Sequence, residues 1–483
     1  MANPIKKLAK QTAVYGLSSI LGRLLNYLLV PLQTYFFVSK EYGIISEFYA
    51  YVAFFVVVLT FGMETTFFRF VNRSEDKESV FNQATSFILL LNVLFLVLVG
   101  VFSQDIADWL QFPHYQHFVI WLGIILAADA ISSLFMAKLR FQEKARKFAV
   151  VQLSSIGITI ILNLVFLGIL YDPNDPDSLG IGYIFLANLV ASLLKPALLF
   201  REVLSFRFTW NTQQMRAMLI FAVPLVIGGF AGIINETLDR ILIKRLLLDE
   251  GLDFAQSQVG IYSANYKLSI LITVFIQAFR YAAEPFFFAQ EKNKNKDEVY
   301  SRVMTWFIIV VSTMFLTISL NLELFKWFIP NEEYWEGLKV VPILLMANIF
   351  LGIYYNQSIW YKLANRTQYG AYISIGGAFI TIGLNLYLIP IMGYEGSAWT
   401  TLSAYFFMMV ASYFWGRRIY PIQYDLPRAG LYLFVSLGLY LISQFVATEN
   451  PWLNALINNV MLLGFVGLIM VAEKPLQEFR KNG

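Results

Sequence analysis

A chain of 483 residues that is 58% hydrophobic, 17% aromatic and 14% charged, with a mean hydropathy of +0.60, cannot cover itself with polar surface in water, where an ordinary domain is about 25% charged. Lipid must therefore cover much of the exterior, and soluble folds are excluded. The absence of Cys rules out disulfides, thiol catalysis and Cys-ligated zinc.

Fourteen apolar stretches follow one another, each near the roughly 20 residues that cross a hydrocarbon core of about 30 Å. The first, residues 11–38, opens behind Lys6, Lys7 and Lys10 like a secretion signal. It runs too long for one, holds Arg23 and Asn26, and shows no small-residue cleavage signal before Pro31, so it reads as span one. Spans two to six are 44–68, 81–103, 118–137, 148–171 and 180–200. Spans seven to twelve are 217–238, 259–283, 303–321, 339–361, 370–390 and 395–415, and 429–447 and 452–472 complete the set. No hydrophilic insert is long enough to form a soluble domain. Between spans three and four, His114 and His117 flank a short connection with no carboxylate nearer than Asp108, and they read as loop residues, not as a metal site.

The formal charge of +4 says less than its distribution. Alternate connections and both ends carry 27 Lys and Arg, among them Lys138, Arg140, Lys144, Arg146 and Lys147, against six on the other side, Lys40, Arg240, Lys244, Arg245, Lys326 and Lys339. Basic connections stay in the cytoplasm. Both termini are expected there, with the Asp172 to Asp177 and Pro330 to Trp335 connections outside.

The chain also echoes itself. Gly43 and Gly260 precede similar segments 217 residues apart; Lys138-Leu139 and Asn163-Leu164 reappear as Lys362-Leu363 and Asn385-Leu386 at offsets of 224 and 222; Gly182 and Gly396 lie 214 apart. Each correspondence joins equivalent spans, which predicts a six-span unit repeated in parallel. The expected fold is an all-α polytopic membrane protein with an N-terminal lobe (1–210), a C-terminal lobe (211–420), and a final helix pair with its tail (421–483).

Ionisable residues inside spans are costly, about 2.5–3.5 kcal/mol on insertion scales, and face a bundle interior or a wet cavity. Arg23 sits about twelve residues into span one, too deep for easy snorkelling, as a substrate-facing arginine or a structural ion pair. Lys267 is similarly deep in span eight, on the other lobe. Arg280 and Glu284 are four apart on span eight and can pair, a structural or gating arrangement, with Arg280 a secondary candidate for substrate. Glu64 lies near Arg69 in span two, and Asp129 lies in the small-residue run Ala127-Ala-Asp-Ala130, as a proton or sodium site or an interhelical hydrogen bond. Span seven ends with Glu236, Asp239, Arg240 and Lys244, a solvated helix end or a charged lip of a pathway. Lys195, before Pro196, is free to snorkel. Two central cations favour an anionic substrate, and arginine's planar fork suits phosphate oxygens.

With Glu41-Tyr-Gly-Ile44, Phe61-Gly-Met-Glu-Thr-Thr-Phe-Phe-Arg-Phe70, Asp239-Arg240, Val259-Gly-Ile-Tyr-Ser-Ala-Asn-Tyr-Lys267 and Gly393-Tyr-Glu-Gly-Ser-Ala-Trp399 in this order, the chain resembles the bacterial polysaccharide and lipopolysaccharide flippases of the multidrug/oligosaccharidyl-lipid/polysaccharide exporter superfamily. The resemblance implies a MATE-like fold and a non-enzymatic, alternating-access movement of undecaprenyl-pyrophosphate-linked oligosaccharide from the inner to the outer leaflet of the bacterial cytoplasmic membrane, for O-antigen or other polysaccharide synthesis. It implies a cationic cavity, which Arg23 and Lys267 fit, and a lipid groove beside spans thirteen and fourteen. No cofactor is implied beyond proton or sodium coupling, for which Glu64, Asp129, Asp239 and Glu284 are the candidate gating or coupling residues, while Arg240 and Arg280 join the substrate-facing set. The partners are the lipid-linked glycan, membrane lipids, and a polysaccharide polymerase and glycosyltransferases, with no nucleic acid and a monomeric state. The peptidoglycan-precursor flippases, the ion-coupled drug/cation antiporters and a non-transport assembly scaffold are the alternatives.

Overall fold

The computed structural model describes residues 21–473 other than 23, 26, 176, 292 and 294, and every regular element among them is helical. The helices include α1 (Leu29–Phe36), α2 (Ser39–Thr60), α3 (Met63–Val71), α4 (Lys77–Trp109), α5 (Gln116–Phe141), α6 (Ala145–Val165), α7 (Gly182–Leu198) and α8 (Thr212–Leu246). After these come α9 (Leu252–Gln290), α10 (Lys296–Leu320), α11 (Val341–Gln357), α12 (Ile359–Leu363), α13 (Gln368–Met392), α14 (Tyr394–Ile419), α15 (Leu426–Val446) and α16 (Pro451–Glu473).

Among the described residues, eleven helical stretches are long and apolar enough to cross a membrane. The sequence suggests fourteen, and the difference lies in three places. Only α1 of span one lies within the helices described; α7 is apolar but 17 residues long; and Ser, Thr, Tyr and Trp residues such as Ser397, Trp399, Thr400 and Tyr405 dilute the hydropathy of the 26-residue α14. Most helices overrun the apolar stretch that announces them, α8 reaching 35 residues. A helix continues into the headgroup region because its backbone stays satisfied there, whereas apolarity stops with the hydrocarbon.

The second span departs from a single rod. Phe61 and Gly62 adopt left-handed φ of 46° and 61°, and α3 restarts at Met63. Glycine tolerates this region without penalty. A Cβ at Gly62 would lie 3.1 Å from that of Leu225 on α8, so the small residue serves both the bend and the close approach.

The chain divides into two compact units, one running to Ile241 and the other from Leu242. In the first, α5 packs against α2, α4 and α7, and α7 also against α6. In the second, α11 packs against α9, α10 and α14, and α14 also against α13. Numbered by span, these are contacts two-four, three-four, four-six and five-six, repeated as eight-ten, nine-ten, ten-twelve and eleven-twelve. The helices α15 and α16 pack on α10 and on each other. The paired asparagines Asn163 and Asn385 are both fully buried; Asn385 accepts a 2.9 Å hydrogen bond from Ser397 on α14. Gly396 makes that crossing possible, since a Cβ there would lie 2.6 Å from the Leu388 backbone.

Candidate functional site

The candidate residues fall into separate sets in the two units. Arg23 lies outside the described residues. In the second unit, Lys267 is half-buried on α9, 15 residues from the helix start at Leu252, or about 22 Å at 1.5 Å per residue. Arg280, about three and a half turns further on, places its guanidinium 4.1 Å from the centre of the Tyr355 ring on α11. Its expected partner, Glu284, instead forms an ion pair with Lys362 on α12. Residues four apart share a helix face, but a neighbouring helix offers each charge a partner that requires less side-chain curling along its own axis.

In the first unit the same correction applies to Glu64. It pairs with Arg140 at the end of α5, at 2.5 Å, and not with Arg69; Arg69 stacks on Phe221 of α8 at 4.1 Å. Asp129 on α5 is bonded to Lys195 on α7 at 2.8 Å. Lys195 thus reaches a carboxylate inside the unit instead of snorkelling to solvent. Seven residues before it on α7, about two turns, Asn188 donates to the Tyr49 hydroxyl of α2, and Ser155 of α6 donates to the Ala191 carbonyl at 3.0 Å. A seam of polar groups therefore links α2, α5, α6 and α7.

The charges that close α8 are not a solvated helix end. Asp239 and Arg240 are 5% and 9% exposed, and Lys244 is completely buried. Arg240 Nη1 donates to Asp239 Oδ1 at 2.8 Å and to the Glu236 carbonyl at 2.5 Å. Burial of ions is tolerable only with this degree of hydrogen bonding.

Three partners escaped the reading of candidate sites, namely Arg140, Lys195 and Lys362, because the first and last counted only as topology markers and the second as a snorkelling side chain. A signal was present in the repeat. Glu64 and Glu284 are 220 residues apart, and Arg140 and Lys362 are 222 apart, inside the range of the other offsets. Each unit thus ties the end of its second span to the end of its fourth with a carboxylate and a cation. Glu47, on α2 and 1% exposed, is a further buried carboxylate that carries no sequence signal apart from its position among apolar neighbours. Among the described residues, no three His, Asp or Glu side chains converge in a way that would hold a metal.

The arrangement combines neutral, internally paired seams with cations on α9 set deep in a span. Such seams hold helices in register. A carboxylate in them is also the type of group that accepts a proton or sodium ion.

Comparison with known proteins adds family and fold. The model of the family described as "Polysaccharide biosynthesis protein" matches residues 8–289. The Lsg locus putative protein 1 of Haemophilus influenzae is 22% identical over 368 residues, covering 72% of this chain and 83% of that protein. An uncharacterized membrane protein of Methanocaldococcus jannaschii is 22% identical over 493 aligned positions, covering 95% and 92%. Among solved structures, the lipid II flippase MurJ in an inward closed conformation superposes with a TM-score of 0.72 at 13% identity, over 96% of this chain and 99% of that one. An inward-facing multidrug resistance MATE family transporter gives 0.62 at 12% identity, over 84% and 94%.

Proposed function

Because this chain belongs to the polysaccharide biosynthesis protein family, within the multidrug/oligosaccharidyl-lipid/polysaccharide exporter superfamily, we propose that it is a flippase for a lipid-linked oligosaccharide. The cargo is an undecaprenyl-pyrophosphate-linked glycan carried from the inner to the outer leaflet of a bacterial cytoplasmic membrane. Two six-helix lobes (1–210 and 211–420) and a terminal pair (421–483) make fourteen helices, with both chain ends cytoplasmic. The lobes alternate in access, Arg23 and Lys267 are the cations that bind the pyrophosphate, and the lipid tail stays in the bilayer.

The observation that carries this reading is coverage. The lipid flippase fold accounts for 96% of the chain and the drug transporter fold for 84%, which leaves about a sixth of the chain unmatched in the second case, a share comparable to the final helix pair and its tail. Lys267, a half-buried cation on α9, disfavours an organic cation and favours a pyrophosphate. Proton or sodium coupling belongs to the carboxylates Glu64, Asp129, Asp239 or Glu284. The superposition on a lipid II flippase favours one second reading, a peptidoglycan precursor as cargo. Binding of purified protein to lipid-linked oligosaccharide and to lipid II, measured by microscale thermophoresis, separates them. The proposal expects tighter binding of the oligosaccharide and about a tenfold loss with Lys267→Gln, the equivalent of one lost charge-assisted contact of about 1.4 kcal/mol. Tighter binding of lipid II would select the second reading, and indifference to Lys267→Gln would remove Lys267 from the phosphate site.

A further inference from the structure

The ion pair between Asp129 on α5 and Lys195 on α7 joins the fourth span to the sixth in the first unit. The repeat locates the same place in the second unit. The fourth and tenth spans correspond at the offset of 224 that relates Lys138 to Lys362, and the sixth and twelfth at the 214 that relates Gly182 to Gly396. Along those offsets Asp129 maps to Ile353 and Lys195 to Met409. Ile353 on α11 and Met409 on α14 line one apolar slot, so the equivalents of the two partners again stand together.

The crossing is thus made once with charges and once without. An ion pair must offset the removal of two charges from water, and well-packed apolar residues in its place are often neutral or stabilising. Ile353 and Met409 meet no such cost. Helix packing alone therefore does not account for a carboxylate at residue 129.

The surroundings of Asp129 suit a cation. Its side chain is 36% exposed, so ions in solution reach it. The Tyr49 hydroxyl of α2 lies within reach of its charge. Asn188 of α7 uses its nitrogen for hydrogen bonds to Tyr49 and to the Ile184 carbonyl, which leaves the amide oxygen to accept. Asn188 and Lys195 are two turns apart on one face of α7, and helical side chains lean toward the N-terminus, so the Lys195 side chain extends toward Asn188. Carboxylate, hydroxyl and amide oxygens are the donors that hard cations select.

We propose that Lys195 is a tethered cation whose ammonium fills, on Asp129, a monovalent-cation site that would otherwise take sodium. The first unit then neither binds sodium nor is driven by it at that carboxylate. The lysine ammonium is a compact point charge on a flexible stem, and it stands 2.8 Å from the Asp129 oxygen. Sodium would have to displace it and leave it unpaired, at the cost of a stranded charge. The inference rests on the reading of Asp129 as a candidate coupling carboxylate and narrows that reading, because sodium coupling is left to the other candidates.

The test reads cation binding without cargo, so it succeeds or fails apart from the flippase assignment. Thermal midpoints of the purified, full-length protein in detergent are measured between about 1 and 150 mM sodium chloride, with N-methylglucamine chloride holding the ionic strength constant. The wild-type midpoint should move by less than about 0.5 °C. Lys195→Ala, which removes the ammonium and keeps the carboxylate, should gain a saturable rise of about 2–4 °C. Asp129→Asn/Lys195→Ala should lose that rise, and Lys195→Arg should stay indifferent to sodium because the tethered charge is kept. Should Lys195→Ala give no cooperative transition, Lys195→Ser reads the same gain. A sodium-dependent rise in the wild type that Asp129→Asn removes would overturn the proposal, since the carboxylate would then take sodium with Lys195 in place. Folded Lys195→Ala protein whose midpoint ignores sodium would overturn it too, as would a rise that the double variant keeps.

Discussion

Separating the charges of the Asp129–Lys195 pair should destabilise the first unit by an amount set by its partial exposure. The two side chains are 36% and 21% exposed and meet at 2.8 Å. At an effective dielectric of 20, the bare attraction at that distance is about 6 kcal/mol. Desolvation and side-chain ordering offset most of it. Exposed pairs contribute about 0.2–1 kcal/mol, whereas removing one partner from a fully buried pair costs about 3–5 kcal/mol. Between those limits, Asp129→Asn or Lys195→Gln alone should cost about 1.5–2.5 kcal/mol, and the double-mutant coupling energy should be about 1 kcal/mol. Reversible unfolding in mixed micelles, titrated with SDS and followed by tryptophan fluorescence, measures all four corners of the cycle. The charge-reversed double variant Asp129→Lys/Lys195→Asp should recover part of the loss. A coupling energy within about 0.3 kcal/mol of zero would show that the pair does not join α5 to α7 energetically, and the seam argument would fail.

Gly396→Ala places a methyl group against the Leu388 backbone and should cost about 1–3 kcal/mol in the same unfolding assay, while Gly438→Ala, which meets nothing within 4 Å, should leave stability unchanged or raise it by up to about 1 kcal/mol through helix propensity. Equal losses at both sites would refute the close α13–α14 approach. Gly62→Ala must enter a left-handed φ of 61° and should lose about 1–2 kcal/mol; wild-type stability would mean that the second span is straight in the membrane. In this cysteine-free chain, single cysteines at Asp175 and Arg146 should react with an impermeant maleimide only from outside and only from the cytoplasm, respectively, and labelling with the opposite sidedness would invert the topology.

Apolar length made the membrane class and the helix positions legible, because span length follows from the bilayer's thickness. The break at Phe61-Gly62 was not legible. A lone glycine in an apolar run is ordinary, and the need for it comes from Leu225, 163 positions away. Ion-pair partners were misread for a similar reason. Spacing along one helix brought Arg280 to Glu284 and Arg69 to Glu64, while packing brought Lys362 and Arg140 to those carboxylates instead. The repeat offsets held enough information to relate the two pairs once one of them was seen. Lys195 was read as a snorkelling side chain because nothing in sequence places Asp129 opposite it.

The central claim is that this protein moves a lipid-linked glycan across a bilayer, and it is tested most directly by translocation in proteoliposomes. Undecaprenyl-pyrophosphate-linked oligosaccharide would be loaded into both leaflets, and the fraction open to an impermeant glycan-modifying enzyme followed over time. Wild-type protein should carry the shielded pool to the enzyme, faster under an imposed proton or sodium gradient of the coupling sign. Arg23→Gln and Lys267→Gln, at matched amounts of folded protein, should slow it, with Arg23→Lys worse than wild type because charge is kept while the bidentate fork is lost. A shielded pool that stays shielded in vesicles containing folded wild-type protein, with and without either gradient, would contradict the account.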